Sequence, residues 1–319
     1  MPAPILTTTL IAVTGAVHAE APPQNPDQAN RWGLCDMEGF IGGVQLRGGG
    51  MAGSGWDGSG ANATTVYFRI ENSTSDLGAG QRAAILAGLQ IWADIVQIDF
   101  VEIGVANANR SIDFRFVTGN HCSQEPDECG DADCAFDGPN GVLAHAGFPP
   151  GVNSACVDPM EETWAGNVHF DDDEPWEQDD AGPGFSMALI AAHEVGHAIG
   201  LTHDTGGGGP HIMRPLFSDT DGLQAPSASD TLHLWSGYAA GTGAVVTLEE
   251  GGLWVNGNWT LTELGLPGAP FNTIVEAENA IPPFADVDIN VSAGSYPQSV
   301  TFNRPCTINA IGGTVVIGQ

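Results

Sequence analysis

The chain has 319 residues and 42% hydrophobic content, enough for one large domain or two modest ones with real cores. All eight basic residues are arginine, and they face 39 acidic residues, which gives a formal net charge of -31. A surface this acidic repels phosphate backbones and argues against nucleic-acid binding, whereas it favours calcium and solubility in salt. No apolar run reaches the roughly 20 residues of a membrane-spanning helix.

The N-terminal end has the features of an export signal. Residues 6–17 are mostly apolar, and Val17-His18-Ala19 offers a small-residue cleavage site, so residues 1–19 are predicted to be a signal peptide. The alternative is a disordered apolar leader. An even number of cysteines follows, which predicts disulfides in an exported chain. They are Cys35, Cys122, Cys129, Cys134, Cys156 and Cys306.

Residues 20–63 are rich in glycine, proline and asparagine, which predicts a loose N-terminal segment. Strand-like and helix-like runs both occur from residue 64 to 242, which we take as one domain. Its predicted strands are 66–70, 98–103, 112–116, 141–146 and 167–170. Its predicted helices are 81–96, 186–200 and 229–238, the last packing through Leu232, Trp235 and Tyr238.

After residue 242 the pattern changes to short β-rich runs separated by glycine, proline and asparagine, so residues 243–319 are predicted to be a second, all-β unit. The runs are 287–291, 299–302, 306–308 and 314–317. From about residue 252 the tail resembles the opening coil of a parallel β-helix, with a short capping helix near 273–280. It contains no cluster of histidines, cysteines or paired acids that would indicate chemistry.

The strongest motif is HEVGHAIGLTH, residues 193 to 203. On a helix, His193 and His197 are four residues apart and point the same way, so both can reach one zinc ion. A continued helix would carry His203 about 15 Å from His193, so the chain must turn, and Gly200 tolerates the positive φ required. Three neutral nitrogens leave one position for water, which is typical of a catalytic zinc, and Glu194 is the predicted general base. The alternative is a chance helix with two exposed histidines.

This motif, followed by Met213 in His211-Ile212-Met213-Arg214-Pro215, resembles the metzincin zinc peptidases, in which such a methionine forms an apolar floor below the metal. Two upstream segments are similar to those of the matrixin group. They are FDGPNGVLAHAGFPPG at 136–151 and VHFDDDEPW at 168–176. The resemblance covers about residues 64–241. It implies an α+β fold with a twisted mixed sheet, an active-site helix and a Met-turn, joined here to the small all-β unit.

The resemblance also implies further metals. A calcium site is expected from a tight glycine-rich loop and nearby carboxylates. Its matching residues are Asp137, Gly138, Asn140, Val142, Asp171 and Glu174. The alternative for residues 171–174 is a solvated acidic run. A second, structural zinc would use His145, His169 and Asp131, although Cys129 stands where the family usually has its first histidine.

For substrate binding, the resemblance implies that Leu143 and Ala144 lie on an edge strand that pairs with an extended peptide. The walls of the pocket for the side chain after the cut would be Leu189, Pro215, Leu216 and Phe217. An apolar pocket of this kind favours a leucine-like residue. Cys35 does not lie in the family's latency motif, so we expect it to join a disulfide rather than to bind zinc.

The sequence therefore predicts a secreted, monomeric, zinc- and calcium-dependent endopeptidase that hydrolyses extended protein or peptide substrates. The competing hypothesis is a calcium-binding surface or adhesion module whose zinc site is not catalytic. The intact set of His193, Glu194, His197 and His203 favours the peptidase.

Overall fold

A computed structural model gives the arrangement of most of the chain. For residues 32–35 only the backbone is described. The residues it describes are 32–35, 49–58, 60–119, 121, 135–151, 165–178, 183–204 and 211–318. Of the six cysteines, Cys306 is a free thiol there, and the side chains of the other five lie outside the described part, so the disulfides remain a prediction.

The described residues form strands and helices in an order that mixes the two. The strands are β1 Trp32–Cys35, β2 Thr64–Ile70, β3 Ile98–Glu102, β4 Ser111–Val117, β5 Val142–Ala146, β6 Val168–Asp171, β7 Trp176–Glu177, β8 Phe185–Ser186, β9 Leu216–Ser218, β10 Val245–Val246, β11 Leu253–Val255, β12 Val287–Tyr296 and β13 Cys306–Ile317. The helices are α1 Gly80–Ala93, α2 Met187–Ala198, α3 Ala228–Gly237, α4 Leu248–Gly251 and α5 Ile274–Ala280. Among these residues, none of the helices combines the length and apolar character needed to cross a membrane.

One mixed sheet organises the larger part of the fold. Its strand order is β10-β3-β2-β4-β6-β5-β1-β9, and the pairs from β10 to β6 are all parallel. Strand β5 then runs antiparallel to β6, β1 parallel to β5, and β9 antiparallel to β1. Mixed pairing beside packed helices is the α+β class, and that prediction is confirmed.

Helices α1 and α2 pack closely on each other because one glycine removes the side chain between them. A Cβ at Gly88 would lie 2.8 Å from the backbone nitrogen of Ala192. At the same contact, the Trp92 indole nitrogen donates to the Ala192 carbonyl at 2.7 Å. All twelve residues of α2 are buried, so this helix is a core element on every face.

Two sequence-based expectations fail at the ends of the larger unit. Helix α3 buries Leu234 and leaves Leu232 and Trp235 64% and 41% exposed, so only Tyr238 of the predicted packing set lies in the core. A capping box between Ser227 and Asp230 starts the helix and sets that face. The N-terminal segment is also not loose throughout, because residues 49–56 pair with the chain after α2.

The C-terminal residues form a separate core around three parallel strands in the order β11-β12-β13. Asn290 and Asn309 are register partners there, and their side chains are hydrogen-bonded at 3.3 Å. The predicted strand at 299–302 is wrong: Asn303 at its end donates its backbone N–H to the Glu278 side chain of α5 instead of to a neighbouring strand. The predicted strands 306–308 and 314–317 are one strand, β13.

A buried ion pair ties this C-terminal part to the main sheet. Arg82 of α1 donates to both carboxylate oxygens of Glu102 on β3, at 2.6 and 2.7 Å. Glu102 also accepts the N–H of Leu248 at 2.9 Å, and Arg82 contacts Glu249 at 3.1 Å. Leu248 and Glu249 of α4 thus both contact the ion pair that joins α1 to β3.

Glu102→Gln should therefore destabilise the protein by about 3 kcal/mol or more, because it leaves the Arg82 guanidinium buried without its bidentate carboxylate. Asp57→Asn is the matched control: its ion pair with Arg110 at 2.8 Å is about one third exposed and should contribute less than about 1 kcal/mol. Urea unfolding of both variants measures the difference. Equal losses would contradict the structural role of the pair.

Candidate functional site

Helix α2 and the turn after it bring three histidines together. The Nε2 atom of His193 lies 3.0 Å from that of His197 and 3.2 Å from that of His203. All three side chains are buried. Three nitrogens at about 2.0–2.1 Å from one tetrahedral zinc would be about 3.3–3.4 Å apart. The observed spacing fits that geometry closely.

The other ring nitrogens orient two of these imidazoles. His193 Nδ1 lies 2.6 Å from the Ile212 carbonyl, and His197 Nδ1 lies 2.7 Å from the Leu201 carbonyl. Because a carbonyl can only accept, each Nδ1 carries the proton and each Nε2 keeps a lone pair for a metal. Burial lowers the pKa of His193 and of His197 well below the usual value, and the neighbouring histidines lower both further. Both rings are thus neutral, as metal ligands must be.

Apolar groups close the space around the histidines. Met213 is buried, and a Cβ at Gly196 would collide with its sulfur, so glycine is required where α2 crosses the Met-turn. The Phe217 ring lies edge-on to His193 with 5.0 Å between centroids. Glu194 is also fully buried on this helix, beside the first histidine. The three imidazoles and the Glu194 side chain are thus all shielded from water, which strengthens their electrostatic interactions.

A second histidine cluster is built on strands β5 and β6. His145 and His169 are register partners on β5 and β6, with His145 Nε2 at 3.0 Å from His169 Nδ1. His121 joins them, its Nε2 at 3.2 Å from His145 Nε2, and the Gly119 carbonyl accepts from its Nδ1 at 2.9 Å. These three can hold a metal.

Sequence reasoning missed His121, because it placed the family's first histidine at the position of Cys129. The predicted ligand Asp131 lies outside the described residues. Nine residues lie between His121 and Asp131, whereas the usual family motif holds its histidine and aspartate close together. A signal was nonetheless present. His121 lies four residues beyond Val117, the last residue of β4, and β4 pairs with the β6 strand that carries His169.

The predicted calcium loop folds around its own carboxylates. Asp137 accepts the N–H of Val142 at 2.8 Å, and Glu174 accepts the N–H of Gly141 at 2.9 Å. Gly138 and Asn140 adopt positive φ values of 82° and 68°, which turn the loop tightly. A Cβ at Gly141 would collide with the Asp137 carboxylate, so the loop and the acid fit only with glycine there.

The charges in this loop need a cation. One oxygen of Asp171 and one of Glu174 are buried without a hydrogen-bond partner. Burial, together with the nearby carboxylates, raises the pKa of Asp171 to about 6 and that of Glu174 to about 7. A hard cation such as Ca²⁺ satisfies such oxygens and removes the repulsion. The residues present therefore fit calcium.

The predicted peptide-binding edge is already paired in the structure. Strand β1 lies between β5 and β9, with Leu34 opposite Val142 and Cys35 opposite Ala144. On its other side, Gly33 is opposite Phe217. The chain's own N-terminal strand thus occupies the space between the predicted edge strand and the predicted pocket wall. Of the residues named for this cleft, Leu143, Ala144, Leu189 and Phe217 are buried, and Pro215 and Leu216 are partly exposed.

A mixed sheet, a buried helix with two histidines, a third histidine after a glycine turn and a methionine below them define a metzincin-type metal-binding domain. Residues 60–236 match the family model of the matrixins, which is more than half of the chain. The chain belongs to the matrixin family. Zinc and calcium, the two predicted cofactors, are confirmed at the level of the family.

Several curated relatives share this part of the chain. Matrix metalloproteinase-27 of Homo sapiens is 34% identical over 169 residues, 53% of this chain and 28% of that protein. Interstitial collagenase of Oryctolagus cuniculus is 34% identical over 171 residues, 51% of this chain and 31% of the relative. Karilysin of Tannerella forsythia is 36% identical over 155 residues, which are 48% of this chain and 27% of the relative. The chain thus spans less than a third of the length of these relatives.

The calcium loop generates a pH-dependent prediction. Without metal, the pKa values of Asp171 and Glu174 lie above their ordinary 3.8 and 4.5, so the folded chain binds more protons than the unfolded chain. The stability of the metal-free protein should therefore fall as the pH rises from about 4 to about 7. At pH 8, calcium at about 100 times its Kd should add about 2.7 kcal/mol, and the same calcium concentration should add less at pH 5, where protons compete for the carboxylates.

Melting curves across a calcium titration, with zinc kept constant, measure this effect. Asp171→Asn should lose most of the calcium response, whereas the exposed Asp99→Asn on β3 should keep it. A melting temperature that does not change with calcium at pH 8 would remove the site.

Proposed function

We propose that the protein is a secreted zinc-dependent endopeptidase that hydrolyses extended protein substrates. The observation that carries the proposal is the set of three buried Nε2 atoms, 3.0 and 3.2 Å apart, with the buried Glu194 on the same helix. A zinc ion held by His193, His197 and His203 supplies an electrophile for the scissile carbonyl and lowers the pKa of bound water.

Glu194 acts as the general base. Its carboxylate lies in a water-poor pocket next to the first histidine, where it orients the attacking water and accepts its proton. The same oxygen then donates that proton to the leaving amine. His193 and His197 would not compete for it, because their Nδ1 atoms donate to the Ile212 and Leu201 carbonyls and their Nε2 lone pairs would be used by the metal.

The substrate binds as an added strand on β5, through the main chain of Leu143 and Ala144. The side chain after the cut enters a pocket formed by Leu189, Pro215, Leu216 and Phe217. The apolar character of these walls favours a leucine-like residue. In the described structure β1 lies along the same edge, so a peptide binds only after that strand has left.

Two further metals support the framework in this proposal. Calcium binds the loop through Asp137, Gly138, Asn140 and Val142, with Asp171 from the end of β6 and Glu174 from the chain after it. A second zinc binds His121, His145 and His169, because three imidazoles suit that ion, and Asp131 is a candidate fourth ligand. Both sites flank β5 and so stabilise the strand that receives the substrate.

The same proposal places the protein outside the cell as a monomer, without nucleic-acid partners. Its support is the predicted signal at residues 1–19 and the net charge of -31. The alternative, a calcium-binding surface module with a non-catalytic zinc, predicts the same metals without turnover. Zinc content and cleavage of a mixed peptide library distinguish the two.

Glu194→Ala should retain zinc and fold but reduce turnover by about 10²–10⁴-fold, because proton transfer and water orientation are both lost. The exposed Glu250→Gln serves as a control for the loss of one negative charge. Metal analysis and peptide hydrolysis check the two variants side by side. Near-full activity of Glu194→Ala would contradict the mechanism.

Removing residues 1–48 should raise activity, because it removes β1 from β5 and β9 and leaves residues 49–56 in place. If β1 leaves the cleft of the full chain open for one tenth of the time, substrate binds about ten times more weakly than to a cleft that is always open. The KM of the shortened chain should then be lower than that of the full chain by about tenfold or more. Peptide hydrolysis by the two chain lengths at equal zinc content measures the effect. An unchanged KM would show that β1 does not limit access.

A further inference from the structure

The end of α2 receives hydrogen bonds from two distant parts of the chain. Three successive carbonyls, which a helix end would normally leave without intrahelical partners, each accept a donor from outside the helix. The Ala198 carbonyl accepts the Trp56 indole N–H at 2.9 Å, and the Ile199 carbonyl accepts the Tyr238 hydroxyl at 3.0 Å. The Gly200 carbonyl accepts the N–H of Ala52 at 2.7 Å.

The carbonyls on either side are also bonded. Gly200, with φ of 108°, ends the helix in a Schellman motif, since its N–H donates to His197 at 2.8 Å and that of Leu201 donates to Gly196 at 2.8 Å. The Leu201 carbonyl accepts from the His197 ring at 2.7 Å. Every carbonyl from Gly196 to Leu201 therefore has a donor, and this stretch connects the second histidine to the third.

Trp56 and Tyr238 act as one unit. The Tyr238 hydroxyl accepts a hydrogen bond from the backbone N–H of Trp56 at 3.2 Å and donates one to the Ile199 carbonyl. It therefore acts as both acceptor and donor. Both side chains are buried, and a Cβ at Gly55 would collide with the Tyr238 ring. Beyond the turn, Met51 forms an antiparallel bridge with Leu201. The unit therefore cannot shift without moving the turn.

We propose that Trp56 and Tyr238 are positioning residues that hold the turn at 198–202 and so set the place of His203 relative to His193 and His197. The inference rests on the zinc site of the proposed function. His203 comes from the turn and has no helix to position it, so its 3.2 Å separation from His193 depends on this turn. Groups that orient metal ligands typically change metal affinity by about 10–100-fold when removed.

Tyr238→Phe removes the hydroxyl alone and is the main test. The matched control is Tyr296→Phe in the C-terminal part. Tyr296 is equally buried, accepts the N–H of Gly257 at 3.2 Å and donates to the Ser292 carbonyl at 2.9 Å, far from the histidines in sequence. Both variants lose the same chemistry, so a general loss of stability should be similar in the two.

The readouts are the zinc dissociation constant by chelator competition and the visible spectrum of the cobalt-substituted protein. A His197→Ala variant identifies the share of bound metal that belongs to this site. Tyr238→Phe should weaken zinc binding about tenfold and shift the cobalt bands, and Tyr296→Phe should change neither. Trp56→Phe should repeat the effect, with Trp254→Phe, whose indole donates to Gly251 at 3.0 Å, as its control.

Unchanged zinc affinity and cobalt spectrum in both Tyr238→Phe and Trp56→Phe would overturn the inference and leave these residues a structural role only. A parent protein that binds zinc but cleaves no peptide would instead contradict the proposed function and leave this inference standing. A parent whose His193, His197 and His203 bind no zinc would overturn both.

Discussion

The structure depends on holding three imidazoles in a buried pocket, with the Nε2 atom of His193 3.0 Å from that of His197 and 3.2 Å from that of His203. Such an arrangement is unfavourable without a metal, because unprotonated nitrogens that face one another cannot all be hydrogen-bonded. Three features of the fold stabilise the arrangement. Carbonyls accept from Nδ1 of His193 and of His197, Gly196 lets α2 pack against Met213, and α2 is buried on every face. Much of the core around α2 therefore serves to orient two of the three rings.

The acidic residues of the chain are in different surroundings in different parts of the fold. Buried carboxylates that lack a basic partner gather in the loop at 137–142 and 171–174, where a cation can neutralise them. Glu102 is also buried, but there Arg82 supplies the counter-charge. The chain has only eight arginines, so few of its 39 acidic residues can be paired in this way.

The N-terminal residues have two different relations to the site. Residues 49–56 bond to the end of α2 and belong to the framework, whereas β1 pairs with β5 and β9 across the cleft. The sequence favoured a disulfide for Cys35 because its surroundings lack the family's latency motif. That disulfide stays a prediction. The backbone puts Cys35 opposite Ala144, on the strand next to the proposed substrate path, a placement that no local pattern indicated.

By itself, the sequence determined the chemistry of the centre, since spacing alone makes His193 and His197 share a helix face and Gly200 permits the turn to His203. Through its resemblance to a known family, which rests on motifs that are local in the chain, it also predicted the calcium loop and the α+β class. Only the tertiary structure decided that His121 joins His145 and His169, that Trp56 and Tyr238 meet at one turn, and that β1 fills the cleft. Those contacts join residues far apart in sequence, and their partners depend on strand order and packing, which periodicity does not encode.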